Sequence, residues 1–108
     1  MNTASSVAEV RTGEPMITAF DVGKDTLNYY SEYSDGDQIR ISSGVCQNTT
    51  IAIEDQLIAL GEMGREHGYG SLLVVCEPTG AYHFSLLDAA TRAGHLCAYV
   101  SGGAVAKL

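Results

Sequence analysis

Residues 17–24 read Ile-Thr-Ala-Phe-Asp-Val-Gly-Lys, a run typical of a buried strand that nevertheless ends in a carboxylate followed by a glycine. A charged group that leaves water is costly unless another group pairs with it. Asp21 therefore needs a compensating group from elsewhere in the chain, and the position of that group indicates which strands lie side by side.

A second run of this kind, Ser-Leu-Leu-Val-Val-Cys at residues 71–76, is followed by Glu77. Its apolar residues do not alternate with polar ones, which is typical of a central parallel strand covered on both faces. A helical pattern separates the two runs, and a helix supplies the crossover that parallel neighbours require. If the two strands are neighbours, Asp21 and Glu77 meet at the carboxyl edge of the sheet, where open α/β sheets bind ligands.

The rest of the pattern predicts the element order β-β-β-α-β-α-β, which is the start of an RNase H-like mixed α/β sheet. Residues 1–15 are small, polar and aperiodic, so we expect a flexible tail before a single partial domain at residues 16–108. The predicted strands cover residues 16–22, 26–33, 38–42, 71–76 and 96–100.

The two helices are predicted from apolar residues that recur at helical spacing. Asn48, Thr49 and Thr50 can cap the first helix, which is expected to weaken through Gly61 and Gly64 and to stop by residue 68. The second is expected at about residues 81–93. The residues predicted to face inward are Ile53, Leu57 and Leu60 in the first helix and Phe84, Leu87 and Ala90 in the second.

The composition excludes several classes of protein. With a formal charge of −7 and six Lys and Arg residues in 108, the chain has no basic patch for a phosphate backbone. No apolar run is long enough to span a bilayer, and no secretory signal is present, so a cytoplasmic location is expected. Cys46, Cys76 and Cys97 are widely spaced, and we interpret them as reduced, buried apolar residues.

Two carboxylates held close together repel each other unless a proton or a cation lies between them. Mg²⁺ is the natural occupant, because it prefers oxygen ligands and binds through one or two carboxylates together with waters and substrate phosphates. Gly23 fits this interpretation, since a residue without a side chain lets a phosphate or a tight turn approach closely. The alternative is that Asp21-Val-Gly and Glu77-Pro are ordinary turn and helix-start sequences.

Two stretches resemble a known family. ITAFDVGKDTLNYY, from residue 17, and LLVVCEPTGAYHFSLLDAATRAGHLCAYV, from residue 72, are similar to the DEDD-type insertion-sequence transposases of the insertion-sequence one-ten / Piv invertase family. That family has a strand ending in Asp-Val-(Ser/Gly)-Lys and, later, a Glu-x-Thr-Gly-x-Tyr motif that opens a helix. The resemblance covers about residues 17–108 and implies a RuvC-like, Mg²⁺-dependent nuclease domain within a DNA transposase or site-specific recombinase.

The resemblance also implies roles for individual residues. Asp21 and Glu77 correspond to the first and second acids, which are catalytic groups and metal ligands in the family. The residues implied to bind substrate or to shape the site are Gly23, Lys24, Thr79, Gly80 and Tyr82.

The chain departs from the family pattern near its end. The third and fourth acids lie in a Lys-Thr-Asp-x-x-Asp stretch that would follow Leu108, and Val100-Ser101-Gly102 stands where the family has Val-Asn-Pro. The resemblance therefore implies a domain truncated before its last catalytic helix, with two of four acids, weak or absent Mg²⁺ binding and no activity of its own. The implied partners are DNA, a guide RNA in the full-length protein, and further copies of the chain that cover unpaired sheet edges.

Two other functions fit the sequence. AFDVGKDT partly matches the Asp-x-Gly phosphate loop of actin-like sugar kinases and ATPases, although these require a glycine-rich hairpin where this chain has Glu77-Pro-Thr-Gly. The other alternative is a non-catalytic fragment that acts as an assembly module. Among the remaining residues, the histidines are predicted to cap helix carbonyls or face solvent, and Tyr29, Tyr30 and Tyr33 either stack on bases or pack inward.

Overall fold

The computed structural model describes residues 14–78, 80–101 and 104–107. They form one mixed sheet and two helices. The strands are β1 (Pro15–Val22), β2 (Thr26–Asp35), β3 (Gln38–Gln47), β4 (Ser71–Cys76), β5 (Leu96–Ser101) and β6 (Ala104–Lys107), and the helices are α1 (Thr50–Glu66) and α2 (Phe84–Arg92).

The six strands lie in the order β3-β2-β1-β4-β5-β6. β1 pairs with β2 antiparallel and with β4 parallel, so the two strands that precede the acidic residues are neighbours that run in the same direction. β4 and β5 are also parallel. The predicted order β-β-β-α-β-α-β is confirmed as far as β5, and β6 is an additional strand that pairs antiparallel with β5.

Both helices pack on one face of the sheet. Along β1, Met16, Thr18 and Phe20 are buried on that face, whereas Ile17 and Ala19 point to the other face and are exposed. Thr18 donates a hydrogen bond to the Ser31 hydroxyl at 3.1 Å, which satisfies the buried polar pair. The core on the helical face consists of Met16, Phe20, Leu27, Ile53, Leu57, Leu60, Leu72, Val74, Cys76, Leu86, Ala89 and Ala90.

The opposite face of the sheet carries exposed apolar side chains, and no described helix packs on it. Strand alternation assigns to this face the exposed residues Ile17, Tyr30, Ile39, Ile41, Val45 and Leu96. β4 was predicted to be covered on both faces, but the described helices cover it on one face only.

Helix α1 starts where predicted and ends at Glu66, before the predicted limit at residue 68. Ile53, Leu57 and Leu60 face the core as predicted. The helix continues through Gly64 to Glu66, because Gly64 is buried against Met16, where a Cβ would lie 3.4 Å from the Met16 Cε. No helix of the described residues is long and apolar enough to cross a membrane.

Helix α2 begins later than predicted, and the set of residues that it turns toward the core differs in part from the predicted set. Residues 81–83 form a turn, and the first helical hydrogen bond runs from the Leu87 N–H to the His83 carbonyl at 3.1 Å. The prediction that Phe84 faces inward is wrong, since its side chain is 59% exposed. Ala90 faces the core as predicted, Leu87 packs at its margin, and Leu86 and Ala89 are buried in addition.

Four strand boundaries also differ from the prediction, one of them being the end of β5, which lies at Ser101 rather than at residue 100. β1 begins at Pro15 rather than at residue 16, and the Glu14 carbonyl accepts a hydrogen bond from Gly70 at 3.0 Å. The other thirteen residues of the predicted tail lie outside the described residues. β2 reaches Asp35 and β3 reaches Gln47, because the two strands pair along their whole length and their ladder stabilises residues with weak strand propensity.

Candidate metal-binding cleft

Asp21 is the penultimate residue of β1 and is exposed. The alternation of β1 directs its side chain to the face opposite the helices, because Phe20 and Met16 occupy the core side. The carboxylate is therefore not buried in the core, and its cost of desolvation is smaller than the strand-like sequence suggested.

Glu77 directly follows β4 and is also exposed. The last pair in the parallel β1–β4 ladder is Phe20 with Cys76, so Asp21 and Glu77 are each one residue beyond that pair. Neighbouring strands lie about 4.8 Å apart, and in-register residues of parallel strands point to the same face. The sheet thus brings the two acidic residues to the same edge.

Both acids line one cleft with a volume of about 400 Å³, which is within the range of small-ligand sites. Most of the lining residues are apolar, and the polar side chains on this face of the sheet are those of the two acids, Asn28 and Tyr30. The lining residues are Ala19, Phe20, Asp21, Val22, Asn28, Tyr29, Tyr30, Val75, Cys76, Glu77 and Val100.

Asn28 and Tyr30 belong to this cleft, and the sequence analysis did not place Asn28 in the site. Asn28 pairs directly with Asp21 across β1 and β2, so its carboxamide lies on the same face as the carboxylate. Asparagine is depleted in strands, so its presence between Leu27 and Tyr29 is the signal that could have identified it. Tyr30 is 44% exposed, whereas Tyr29 and Tyr33 pack against the core.

Gly23 and Lys24 occupy the tight turn between β1 and β2. The Gly23 N–H donates to the Thr26 carbonyl at 2.9 Å, and a Cβ at Gly23 would lie 3.1 Å from that oxygen. The close approach of that carbonyl favours a residue without a side chain in this turn. Lys24 is exposed, and neither residue lines the cleft.

The loop between Glu77 and α2 holds the other residues implied by the resemblance. Thr79 lies outside the described residues. Gly80 has a φ of +59°, a left-handed conformation that favours glycine. Tyr82 is half-exposed, and neither Gly80 nor Tyr82 lines the cleft.

His83 is buried, contrary to the prediction that the histidines cap carbonyls or face solvent. It is 4% exposed, and its Nε2 lies 3.3 Å from the Tyr99 hydroxyl on β5. Its ring packs against Phe84 with a centroid separation of 4.5 Å. His83 therefore anchors the end of the loop that follows Glu77 to the helical face of the sheet.

Cys76 lies between the core and the cleft. Burial, together with the nearby Cys97, raises the pKa of the Cys76 thiol to about 11, so the group is a neutral thiol at pH 7. Burial likewise raises the pKa of Cys97 and of Cys46, although both are half-buried rather than fully buried as predicted. A thiolate ligand to a metal is disfavoured at these positions.

The donor set of the cleft fits a hard cation. Mg²⁺ binds proteins through one or two carboxylates and keeps several waters, which two exposed carboxylates and the Asn28 carboxamide allow. In the described part of the chain, no group of three or more His, Cys, Asp or Glu residues forms a closed metal cage. The ion pairs found there, Arg40–Asp35, Arg92–Glu54 and Arg92–Asp88, involve neither acid of the cleft.

The sequence matches no protein-family model and no curated protein. Among solved structures, Thermus thermophilus RuvC aligns with a TM-score of 0.56 and 14% identity over 79% of this chain and 63% of that one. T. thermophilus RuvC in complex with a Holliday junction substrate aligns with a TM-score of 0.51 and 11% identity over 82% and 66% of the two chains. Aquifex aeolicus Ppx/GppA phosphatase reaches a TM-score of only 0.45 at 10% identity, over 82% and 36%.

These likenesses show the fold. The chain has the RuvC-like, RNase H-like α/β fold that its element order predicted, and it spans just under two thirds of the length of the RuvC chains that it matches.

Proposed function

We propose that this chain is the N-terminal part of the catalytic domain of a DNA transposase or site-specific recombinase, whose full-length form cleaves and transfers DNA strands with Mg²⁺. One observation carries the proposal. Asp21 and Glu77 each lie one residue beyond the last in-register pair of the parallel strands β1 and β4, at the carboxyl edge of the sheet, and they line the same cleft. Open α/β sheets bind their ligands at this edge.

The roles of the residues follow from their chemistry. Asp21 and Glu77 would hold the ion, and the Asn28 carboxamide lies where it can orient the Asp21 carboxylate or a water. When bound, such ions polarise the phosphodiester, activate the attacking oxygen and stabilise the leaving oxygen. Tyr30, exposed in the cleft beside Ala19, offers an aromatic face on which a base can stack.

The charge of the chain makes DNA contact dependent on a cation. At a net charge of −7, with two carboxylates in the cleft, a phosphate backbone is repelled unless a divalent ion lies between the two. RuvC, which shares the fold, has been solved with a Holliday junction. We therefore propose branched DNA as the ligand class.

Fluorescence anisotropy with a labelled four-way DNA junction tests this part of the proposal. We expect weak binding that requires Mg²⁺ and that disappears in Asp21→Asn and in Glu77→Gln. Glu62→Gln, which removes an exposed carboxylate on α1, serves as the control and should bind as the wild type does. Binding that is the same without metal, or unchanged in both cleft variants, would contradict the proposal.

The assignment to a transposase rests on the two motifs at Asp21 and Glu77 in the order that the family shows. The coding sequence that follows the Leu108 codon tests it. A Lys-Thr-Asp-x-x-Asp stretch there supplies the third and fourth acids and supports the assignment, whereas a continuation without paired acids refutes it. With two of the four acids, the 108-residue chain should show no turnover on branched or nicked DNA.

The actin-like kinase alternative is less well supported. It requires a glycine-rich hairpin after the fourth strand, whereas the described residues after β4 form a turn followed by helix α2. The assembly-module alternative predicts no metal binding, and the same experiments decide against it if the cleft variants lose Mg²⁺-dependent binding.

A further inference from the structure

Asn48 lies between the end of β3 and the start of α1, at a position where a helix cap was predicted. The cap is its neighbour Thr49, whose hydroxyl accepts a hydrogen bond from the Ala52 N–H at 3.3 Å. The Asn48 side chain is therefore not used by the helix, although it is partly buried and donates two hydrogen bonds, and the backbone N–H of Asn48 donates a third.

These hydrogen bonds connect two loops. The Asn48 Nδ2 donates to the Gly23 carbonyl at 2.8 Å and to the Tyr82 carbonyl at 3.0 Å. The Asn48 backbone N–H donates to the Asp25 carbonyl at 2.9 Å. One residue thus binds the β1–β2 turn at two points and the loop before α2 at a third.

The chemistry of the contacts requires an amide. A carboxamide nitrogen has two N–H donors, and here each of them faces one carbonyl oxygen. The opposite orientation would place the side-chain oxygen against two carbonyl oxygens, so the partners fix which end of the amide points toward them. Aspartate has nearly the same shape but has no donor for either carbonyl.

The two loops that Asn48 connects are the ones that follow the acids of the cleft. Gly23 is two residues after Asp21, and Tyr82 is five residues after Glu77. The β1–β4 ladder ends at Phe20 and Cys76, so it does not fix the spacing of the acids beyond that pair. The link between the loops through Asn48 is a further constraint on that spacing.

We propose that Asn48 is a positioning residue for the metal site, which it serves by fixing the loop after Glu77 to the turn after Asp21. The role rests on the proposed function, since it concerns the spacing of the same two carboxylates. His83, buried against Tyr99, anchors the α2 end of that loop to the sheet, and Asn48 links the preceding residue, Tyr82, to the turn after Asp21.

Two measurements on the metal-free and metal-bound chain test the role. The first is calorimetric titration with Mn²⁺, and the second is amide hydrogen exchange over residues 80–84. Asn48→Ala should weaken Mn²⁺ binding about 10-fold, as loss of a group that orients a metal ligand typically does. It should also speed exchange in residues 80–84 while leaving the middle of α1 unchanged.

Asn48→Asp separates positioning from charge. If only charge mattered, the added carboxylate would keep or strengthen Mn²⁺ binding. Loss of the two donors should instead weaken Mn²⁺ binding and speed amide exchange, as in Asn48→Ala. Gln38→Ala is the matched control, because it removes an exposed carboxamide at the opposite end of β3, and it should change neither measurement.

The outcomes distinguish this role from the function on which it rests. If the wild type binds no Mn²⁺ yet both Asn48 variants speed exchange in residues 80–84, the link between the loops is real and the metal site is refuted. If the wild type binds Mn²⁺ and the Asn48 variants match it in affinity and exchange, the positioning role is overturned and the metal site stands. Exchange that rises equally throughout α1 would indicate general destabilisation and would also overturn the role.

Discussion

At the scale of single residues, His95 gives the chain a predictable response to acid. Burial, and secondarily the positive charge of Arg65, lowers the pKa of this imidazole. Below the ordinary histidine pKa the unfolded chain takes up a proton that the folded chain resists, so the free energy of unfolding falls as the pH falls through that range.

The variant His95→Gln isolates this effect from the titration of the carboxylates. We expect urea denaturation between pH 8 and pH 5 to show a smaller loss of stability in His95→Gln than in the wild type. Parallel pH profiles for the two proteins would show that His95 is solvated in the folded state and would contradict the prediction.

The acids of the cleft could be predicted from the sequence, but their supporting residues could not. Asp21 and Glu77 each follow a strand-like run, which is a local signal. Asn48, in contrast, acts on partners 25 and 34 residues away, and no local pattern shows which carbonyls will lie beside it. His83 was misjudged for a similar reason, because its burial depends on Tyr99 in a strand that comes later in the chain.

At the scale of elements, β2 and β3 are joined by a close contact that requires a glycine. Tyr29 pairs with Gly44 across the two strands, and its ring lies over the glycine. A Cβ at Gly44 would lie 2.8 Å from the Tyr29 Cζ, closer than side chains approach one another. We expect Gly44→Ala to lower the free energy of unfolding by about 1–3 kcal/mol, the usual cost of overpacking.

A double-mutant cycle checks the cause of this loss. In a Tyr29→Leu background the ring is absent, so Gly44→Ala should cost much less than in the wild type. Chemical denaturation of the four proteins gives the coupling energy. Additive effects would show that the cost comes from the backbone of β3 and not from the tyrosine ring.

The elements with strong local signals were predicted best. α1 carries apolar residues at helical spacing, and β1 and β4 are short apolar runs, and all three elements form close to where they were expected. The start of α2 was missed because Gly80 takes a left-handed conformation and the Tyr82 carbonyl binds Asn48, which delays the helix until Phe84. β6 was missed because four residues are too short to show a period, and its pairing with β5 defines it.

At the scale of the whole molecule, β3 is an edge strand, and none of the described strands pairs with its outer side. It carries one charged residue in ten, Arg40, and no proline, and such edges pair readily with other strands. Ile39 and Val45 on the open face are 65% and 61% exposed. In an antiparallel pair of β3 strands centred on Ser42, Ile39 would lie opposite Val45 of the partner subunit.

This arrangement predicts a homodimer. Light scattering after size-exclusion chromatography should give a mass that rises toward twice 11.4 kDa with concentration. Ile41→Lys, which places a charge on the edge strand, should shift the equilibrium to monomer, whereas Ile58→Lys on the exposed face of α1 should not. A monomer at every concentration, or a dimer that survives Ile41→Lys, would contradict pairing through β3.

We propose that Asp21 and Glu77 together hold a single divalent cation, and calorimetric titration of Mn²⁺ into the metal-free chain tests this site most directly. We predict one weak site in the wild type and a loss of affinity of at least about 10-fold in Asp21→Asn and in Glu77→Gln, with Glu62→Gln unchanged. Equal Mn²⁺ affinity in the wild type and both cleft variants would contradict the claim.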